Sequence, residues 1–481
     1  MKKISNKYSI NCLAHFMFRI FIISFLFFQN INFLQFKINW KLYLLIIFFW
    51  LSVEIFLKDK VKNSLYFETF LFVGLLKFAF VLINTNYQEF AFLSPPDSKV
   101  YESLANNLFR CGQYSDSLDQ FCNGDIYYKR GPTYAIFLSL FSLGGNLHIG
   151  FTIFVQIILC SLTFLMVLKM IRSNHENFTI QVVFILICLN PLPWTFSRLI
   201  LMETLGSFLI IFSIYLYDKK GLNSKINSLW LSNIILALFL NIQYFIAIGL
   251  IYLKNFLFRK NKLKFLFINA LLISISIFFW GYRNSASVGA WDFNPASGCY
   301  LEKNIIEATE ARKLNLSIYE IREQGITYEL LEEMDIPNQN ASRDVCKKFI
   351  ELLPNYYLTN FETILVNYKF FLSKFFSPEL ACQYEDILCE KGYWFWVIGT
   401  ITKLGFFISL ILILFQRNYS LIYNVAVYLA VLFLITVLVT IDAPRMRSIF
   451  EPLVYLVIGH GLNYFYVFLT RYKNKIKKNN Y

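Results

Sequence analysis

Charged residues and histidines are scarce in this 481-residue sequence. Only 16% of its residues are charged, against 57% that are hydrophobic, and its four histidines do not cluster. The patterns GxxxxGK[ST], HExxH and GxSxG are absent, which argues against a phosphate-binding P-loop, a zinc peptidase and a serine hydrolase. No two cysteines have the CxxC spacing of a structural zinc site. The remaining candidates for chemistry are carboxylates and arginines.

Long apolar runs fill most of the chain, and several reach the roughly 18–20 residues that cross a bilayer. We therefore expect an all-α polytopic membrane protein with about 12 or 13 membrane helices. A further apolar stretch, 132–146, ends in Gly144-Gly145 and is predicted to be a half-inserted or membrane-surface helix. The predicted crossings are 12–30, 41–57, 64–84, 148–169, 178–192, 199–217, 226–240, 243–257, 265–281, 391–415, 421–441 and 446–469.

The basic residues are concentrated in short connectors, and this distribution predicts the topology. Segments 85–131 and 281–390 together hold 14 basic and 23 acidic residues, a net charge of −9, which leaves +23 for the rest of the chain. Lysine and arginine accumulate in cytoplasmic loops of membrane proteins. We expect both termini in the cytoplasm of a bacterial inner membrane, both acidic segments in the periplasm, and no binding of nucleic acid.

The same topology divides the chain into four parts. Residues 1–63 are extra N-terminal membrane helices, read as a retained anchor because no small-residue cleavage site follows the basic start. Residues 64–281 are the membrane core and include the outer loop 85–131. Residues 282–390 form a small extracytoplasmic region with outer-face helices. Residues 391–481 are the C-terminal membrane helices and a basic tail.

Six of the nine cysteines fall in the two outer segments, as expected in an oxidising compartment. Sequence proximity favours the pairs Cys111–Cys122 and Cys382–Cys389, which leaves Cys299–Cys346. Six cysteines allow 15 pairings, and free thiols remain the alternative.

The outer stretch 92–135 is the first long polar interruption in the chain. Ser94-Pro95-Pro96-Asp97 is a helix-start signature, and Val100, Leu104 and Leu108 then follow at helical spacing. Gly112 is placed to end this helix. Because the helix is too short and polar to span, we expect it at the membrane surface with Asp97 at its beginning.

Other charged residues fall near predicted outer helix ends, within 194–203, 280–284 and 442–452. A charge at membrane depth needs a partner or a wet cavity. A carboxylate among arginines suits removal of a proton from a hydroxyl while guanidinium groups hold a phosphate leaving group. Candidate catalytic residues are Asp97 and Glu203; candidate substrate-binding residues are Tyr101, Arg130, Arg198, Arg283, Arg445 and Arg447; no metal site is expected.

Each assignment has a structural alternative. Asp97 serves equally well as a helix cap, and Glu203 as the ion-pair partner of Arg198. Arg445 and Arg447 also suit anchoring at the membrane interface, and Tyr101 suits packing.

The order of these features resembles the GT-C membrane glycosyltransferases, the group with protein O-mannosyltransferases and lipid A aminoarabinose transferases. The likeness begins at the span 64–84 and covers about 400 residues. It is carried by Asp97-x3-Tyr101-x3-Ala105, Gly112-x-Tyr114, Arg130-x-Pro132-x-Tyr134, Gly144-Gly145, Asn190-Pro191, Ser197, Leu201-Met202-Glu203-Thr204, Trp280-x2-Arg283-Asn284, Gly298-x-Tyr300-x3-Asn304, Arg445-x-Arg447, Pro452 and Gly459-x-Gly461. Two features depart from the group: the extra spans before residue 64, and Asn241-Ile242-Gln243 where many relatives carry an arginine.

The resemblance implies transfer of a sugar from a polyprenyl-phosphate donor to a hydroxyl acceptor at the outer membrane face, with inversion at the anomeric carbon. It implies Asp97 as the base, Glu203 as the second outer acid, and Arg130, Arg283 and Arg445 as phosphate ligands, with no bound cofactor. Two other classes stay open: a flippase or polymerase of lipid-linked oligosaccharides, which would not depend on a carboxylate at position 97, and a non-catalytic membrane scaffold.

Overall fold

The structure is a computed structural model, and it describes residues 66, 68–76, 96–115, 131–142, 146–172, 177–220, 224–240, 244–245, 248–249, 263–288, 297–316, 320–321, 354–375, 393–415, 426 and 443–479. Within these ranges the regular secondary structure is helical. The helices are α1 (68–76), α2 (Pro96–Cys111), α3 (Thr133–Ser139), α4 (Ile149–Arg172), α5 (Asn177–Leu189), α6 (Pro191–Ser197), α7 (Glu203–Lys220), α8 (Ser224–Leu240), α9 (Leu263–Val288), α10 (Ser297–Leu314), α11 (Phe361–Phe375), α12 (Tyr393–Phe415) and α13 (Ala443–Asn479).

Three helical stretches are long and apolar enough to cross a bilayer: Ile149–Ile171, Val397–Phe415 and Ile449–Tyr472. Shorter apolar helices cover Phe178–Leu189, Glu203–Leu216 and Leu231–Leu240. The protein is thus a helical membrane protein, as the composition predicts. The predicted spans 12–30 and 41–57 lie outside the described residues, as does 421–441 apart from residue 426, so the count of twelve crossings stays a prediction.

The centre of the bundle is formed by α4, α7 and α13, which pack against one another and against the short helix α6. Residues 449–458 of α13 are buried all round, which is expected of a central helix. Around them, α12 packs on α13, and α2 packs on α3. Large apolar side chains on the outward faces of α9 and α12 are exposed, among them Phe267, Phe279, Leu404 and Leu414. These faces are suited to contact with lipid.

One predicted boundary is wrong. The crossing predicted to begin at residue 199 begins at Glu203, because residues 198–202 form a bend between α6 and α7. Pro191 and Pro193 start the separate seven-residue helix α6, and the backbone N–H of Leu201 then donates to the oxygen of Leu199, 2.8 Å away. The bend places five residues of irregular backbone inside the bundle, where each polar group needs a partner from another element.

The helices α10 and α11, within the segment 282–390, pack against each other, and α11 also packs against α13. Tyr356, just before α11, donates its hydroxyl to Glu310 Oε1 at 2.6 Å, and Lys313 Nζ lies 2.7 Å from the same oxygen. Burial and this contact raise the pKa of the Tyr356 hydroxyl. On the other side of the segment Leu358 and Phe361 are exposed, so the pair presents an apolar face away from α10.

Candidate functional site

The helix that carries Asp97 begins and ends as the sequence predicts. It starts at Pro96 with Asp97 in its first turn. It ends at Gly112, whose φ of +64° is the left-handed conformation that glycine adopts without strain. The Gly112 N–H donates to the oxygen of Leu108 at 3.0 Å. Asp97 is partly exposed on this helix.

The first turns of α2 lie against the bend 198–202. Ser98 Oγ donates to the backbone oxygen of Ile200 at 2.9 Å, and the Tyr101 hydroxyl donates to Met202 Sδ at 3.3 Å. Both contacts are buried. Asp97 is therefore next to the turn of chain that ends in Glu203, although about a hundred residues separate the two in sequence.

Tyr101 itself is part of the core. Its side chain is 2% exposed, and its ring meets that of Tyr134 from α3 edge to face, with the centroids 4.8 Å apart. This is the packing role given above as the alternative for Tyr101; direct binding of substrate by this side chain stays a prediction.

Gln156 of α4 also forms hydrogen bonds with the bend. Its Nε2 donates to the backbone oxygens of Ser197 (3.1 Å) and Leu199 (2.7 Å), and its Oε1 accepts from the Tyr134 hydroxyl (2.6 Å). Gln156 is not among the site residues predicted from the sequence. The available signal was an amide inside an apolar span, which at membrane depth indicates a polar partner on another segment.

Arg198 and Glu203 stand at the two ends of the bend, and both are buried, with 6% and 1% of their surfaces exposed. Glu203 is in the first turn of α7, where the helix dipole favours a carboxylate. The ion pair predicted between the two side chains stays a prediction. The bend therefore has a buried arginine at one end and a buried carboxylate at the other.

A small cavity beside Glu203 is large enough for about one water molecule. Its walls come from four helices: Cys160, Thr163 and Phe164 of α4, Pro193 and Phe196 of α6, Glu203, Thr204 and Ser207 of α7, and Pro452 of α13. Hydroxyl groups and a carboxylate thus share one hollow within the apolar core, with α13 closing one side.

Arg283, near the end of α9, contacts Tyr114, which lies just after the end of α2. Its Nη2 donates to the backbone oxygen of Tyr114 at 3.1 Å, and its Nη1 donates to Asn284 Oδ1 at 3.0 Å. The guanidinium carbon lies 5.2 Å from the centre of the Tyr114 ring and 4.8 Å from that of Trp280. These cation–π contacts fix the side chain in place. Trp280 also packs against Phe239 of α8.

The α2 helix contacts both the bend 198–202 and the residues around Arg283. One face carries Ser98 and Tyr101 to the bend, while Val100 and Leu104 pack in a cluster with Tyr114 and Trp280. The segments 194–203 and 280–284 therefore both contact the short helix that carries Asp97.

The remaining candidate arginines are only partly described. Arg130 lies outside the described residues, but its neighbour Gly131 accepts a hydrogen bond from the Tyr114 hydroxyl at 3.0 Å. Arg445 and Arg447 lie in the first two turns of α13. About 9 Å of helix separates Arg445 from Glu451, whose carboxylate Oε1 accepts a hydrogen bond from Asn190.

Cysteines follow the predicted division between segments. Cys111 at the end of α2 is in a disulfide. Cys122 lies outside the described residues, so the pair Cys111–Cys122 stays a prediction. Cys160 and Cys188, in the apolar helices α4 and α5, are free and buried. In the described part of the chain no three His, Cys, Asp or Glu side chains come together as metal ligands do.

No protein-family model, curated protein or solved structure matches this chain. The resemblance to GT-C glycosyltransferases therefore stays a prediction from the sequence.

Proposed function

We propose that this protein is a membrane glycosyltransferase that moves a sugar from a polyprenyl-phosphate donor to a hydroxyl acceptor, a lipid, a glycan or a protein, at the outer face of the bacterial inner membrane. The observation that supports it best is the contact of the Asp97 helix with both the Arg198–Glu203 bend and the Arg283 cluster. It brings carboxylates and guanidinium groups from three distant segments to one helix.

In this mechanism Asp97 is the base. It is the more exposed of the two candidate acids, and a base must reach the acceptor hydroxyl directly. Asp97 takes the hydroxyl proton as the oxygen attacks the anomeric carbon. The bond from that carbon to the phosphate oxygen breaks, and the lipid phosphate leaves with the electron pair. The basic residues Arg130, Arg445 and Arg447 are assigned to the phosphate, whose charge guanidinium groups match with forked hydrogen bonds.

Glu203 and Arg198 have a supporting role in the proposal. Both are buried behind the first turns of α2, so they act on the reaction through the bend rather than by touching the acceptor. Arg283 donates hydrogen bonds to the Tyr114 backbone oxygen and to Asn284 Oδ1, and the positive charge of its guanidinium group is assigned to the lipid phosphate.

The test is transfer of label from a radiolabelled polyprenyl-phosphate sugar to candidate acceptors by the purified protein in lipid. Wild type is compared with Asp97→Asn and, as a matched control, Asp116→Asn in the same outer loop. Transfer that falls at least a hundredfold for Asp97→Asn alone supports the proposal. If Asp97→Asn and Asp116→Asn transfer equal amounts of label, Asp97 is not the base. If the wild-type protein transfers label to no acceptor, the proposed glycosyltransferase activity is wrong. Movement of the labelled lipid across the membrane without transfer would instead support a flippase.

A further inference from the structure

A buried polar cluster joins α13 to the start of α6 in the middle of the bundle. Asn190, between α5 and α6, donates from its single Nδ2 to Glu451 Oε1 at 2.5 Å and to the Tyr455 hydroxyl at 2.6 Å. The three side chains are 4%, 0% and 0% exposed. We refer to Asn190, Glu451 and Tyr455 as the amide cluster.

The orientation of the Asn190 amide is fixed from its other side. Its Oδ1 accepts the backbone N–H of Leu192 at 3.0 Å, so both amide hydrogens must point toward α13. The Tyr455 hydroxyl accepts one of them, and it approaches the backbone oxygen of Leu186 at 3.4 Å as a donor. Donor and acceptor are therefore assigned for each of these hydrogen bonds, and such a network specifies one arrangement of the helices.

The amide cluster allows one register between α13 and α6. Glu451 and Tyr455 are four residues apart and therefore lie on one face of α13, and a single amide reaches both. A shift of α13 by one residue along its axis moves both acceptors away from the same donor. Pro452, the residue after Glu451, lines the cavity of Glu203, so the cluster is adjacent to the bend.

We infer that the amide cluster is a positioning device: it sets α13, and with it the turns that carry Arg445 and Arg447, against the bend that carries Arg198 and Glu203. The inference rests on the proposed function for its effect on catalysis. Glu451 and Asn190 are positioning residues here, since they act on the site through the placement of a helix.

The chain contains a matched control. Asn233 of α8 is also a buried asparagine, 3% exposed, whose Nδ2 donates across to the Leu209 backbone oxygen of α7 at 2.7 Å. Asn190→Leu and Asn233→Leu each replace a buried amide by an apolar side chain. Only Asn190→Leu removes hydrogen bonds to α13, whereas Asn233→Leu removes hydrogen bonding to α7.

The experiment measures amide hydrogen exchange of the full chain in lipid nanodiscs, together with sugar transfer. We expect Asn190→Leu to speed exchange at least tenfold in peptides from 191–202 and 443–452, while Asn233→Leu speeds it within α7 and α8 instead. Glu451→Gln keeps an acceptor oxygen for Asn190 and should stay close to wild type. If Asn190→Leu does not fold, Tyr455→Phe removes one acceptor and should give the same local pattern more weakly.

The kinetic arm separates positioning from general damage. At equal folded fraction, Asn190→Leu should lower kcat at least tenfold with KM within about threefold, and Asn233→Leu should leave both near wild type. Unchanged exchange at 443–452, or equal kcat in the two asparagine variants, overturns the inference. If wild type shows no transfer, the proposed function falls, while the exchange pattern still decides whether the cluster holds α13.

Discussion

Replacement of Gln156 by leucine tests whether the bend is held by side chains from its neighbours. Gln156→Leu places an apolar side chain of similar size in α4 and removes three buried hydrogen bonds, two to the backbone oxygens of Ser197 and Leu199 and one from the Tyr134 hydroxyl. The bend then has two carbonyl groups that lose a donor in a part of the bundle without bulk water.

The magnitude follows from these three bonds. Hydrogen bonds between membrane helices contribute about 0.6 kcal/mol each on average and at most about 1.7 kcal/mol. Three of them give about 2–5 kcal/mol. The upper part of this range applies here, because a buried carbonyl that loses its donor costs about 1–3 kcal/mol. The leucine side chain returns part of the loss through apolar packing.

The assay is equilibrium unfolding in lipid bicelles by steric trapping, with Ser161→Ala as the control. Ser161 is buried on the same helix, and its hydroxyl donates to the Ile157 backbone oxygen one turn earlier. Because that oxygen can still accept the backbone hydrogen bond of the helix, removal of the hydroxyl should cost less than about 1 kcal/mol. Tyr134→Phe should be partly non-additive with Gln156→Leu, because the two side chains share a bond. A loss for Gln156→Leu no larger than that for Ser161→Ala would refute the account of the bend.

Three further substitutions test other contacts of the site. Arg283→Lys should reduce transfer at least tenfold and lower the thermal midpoint, since an ammonium group does not keep both hydrogen bonds while stacked on Trp280; a lysine variant with wild-type transfer and midpoint contradicts this. Gly131→Ala should destabilise the fold measurably in the same unfolding assay, because a Cβ there would lie 1.9 Å from the Phe239 backbone oxygen; unchanged stability means that the loop and α8 are not in contact. Burial raises the pKa of Glu102 above its unfolded value, so its ionisation opposes folding and this cost grows as pH rises through the folded pKa. Glu102→Gln should therefore raise the thermal midpoint at pH 8 and lose that advantage near pH 4, and an equal effect at both pH values would contradict the shift.

The helices were predictable where the signal is local. Length and apolar character define α4, α12 and the start of α13 within a few residues, although α13 continues ten residues past the predicted end at 469. Pro96, Asp97 and Gly112 mark the start and end of α2. The short helix α3 also falls where the sequence predicts one. These features depend on residue type and spacing alone, so no tertiary information is needed.

The bend was missed for a physical reason. Residues 198–202 are apolar apart from Arg198, and their composition matches the helix that follows. Only the partners of their backbone show that they are irregular: Gln156 lies about forty residues earlier and Ser98 about a hundred. Sequence periodicity cannot reveal hydrogen bonds between segments so far apart, and the same holds for the bond from Asn190 to Glu451.

The burial of the two acids suits them to different roles in the proposed reaction. Asp97 and Glu203 are equivalent in the sequence, as carboxylates near outer helix ends, but one is partly exposed and the other is 1% exposed. A carboxylate that takes a proton from an acceptor in solvent or lipid has to be accessible, as Asp97 is. Glu203 lines a cavity with Thr204, Ser207 and Pro452 and is not open to such an acceptor. In the proposal its charge, at the first turn of α7 where the helix dipole favours a carboxylate, supports the bend against which the Asp97 helix lies. The proposed chemistry therefore depends on both acids, but only Asp97 has the access that proton transfer from an acceptor requires.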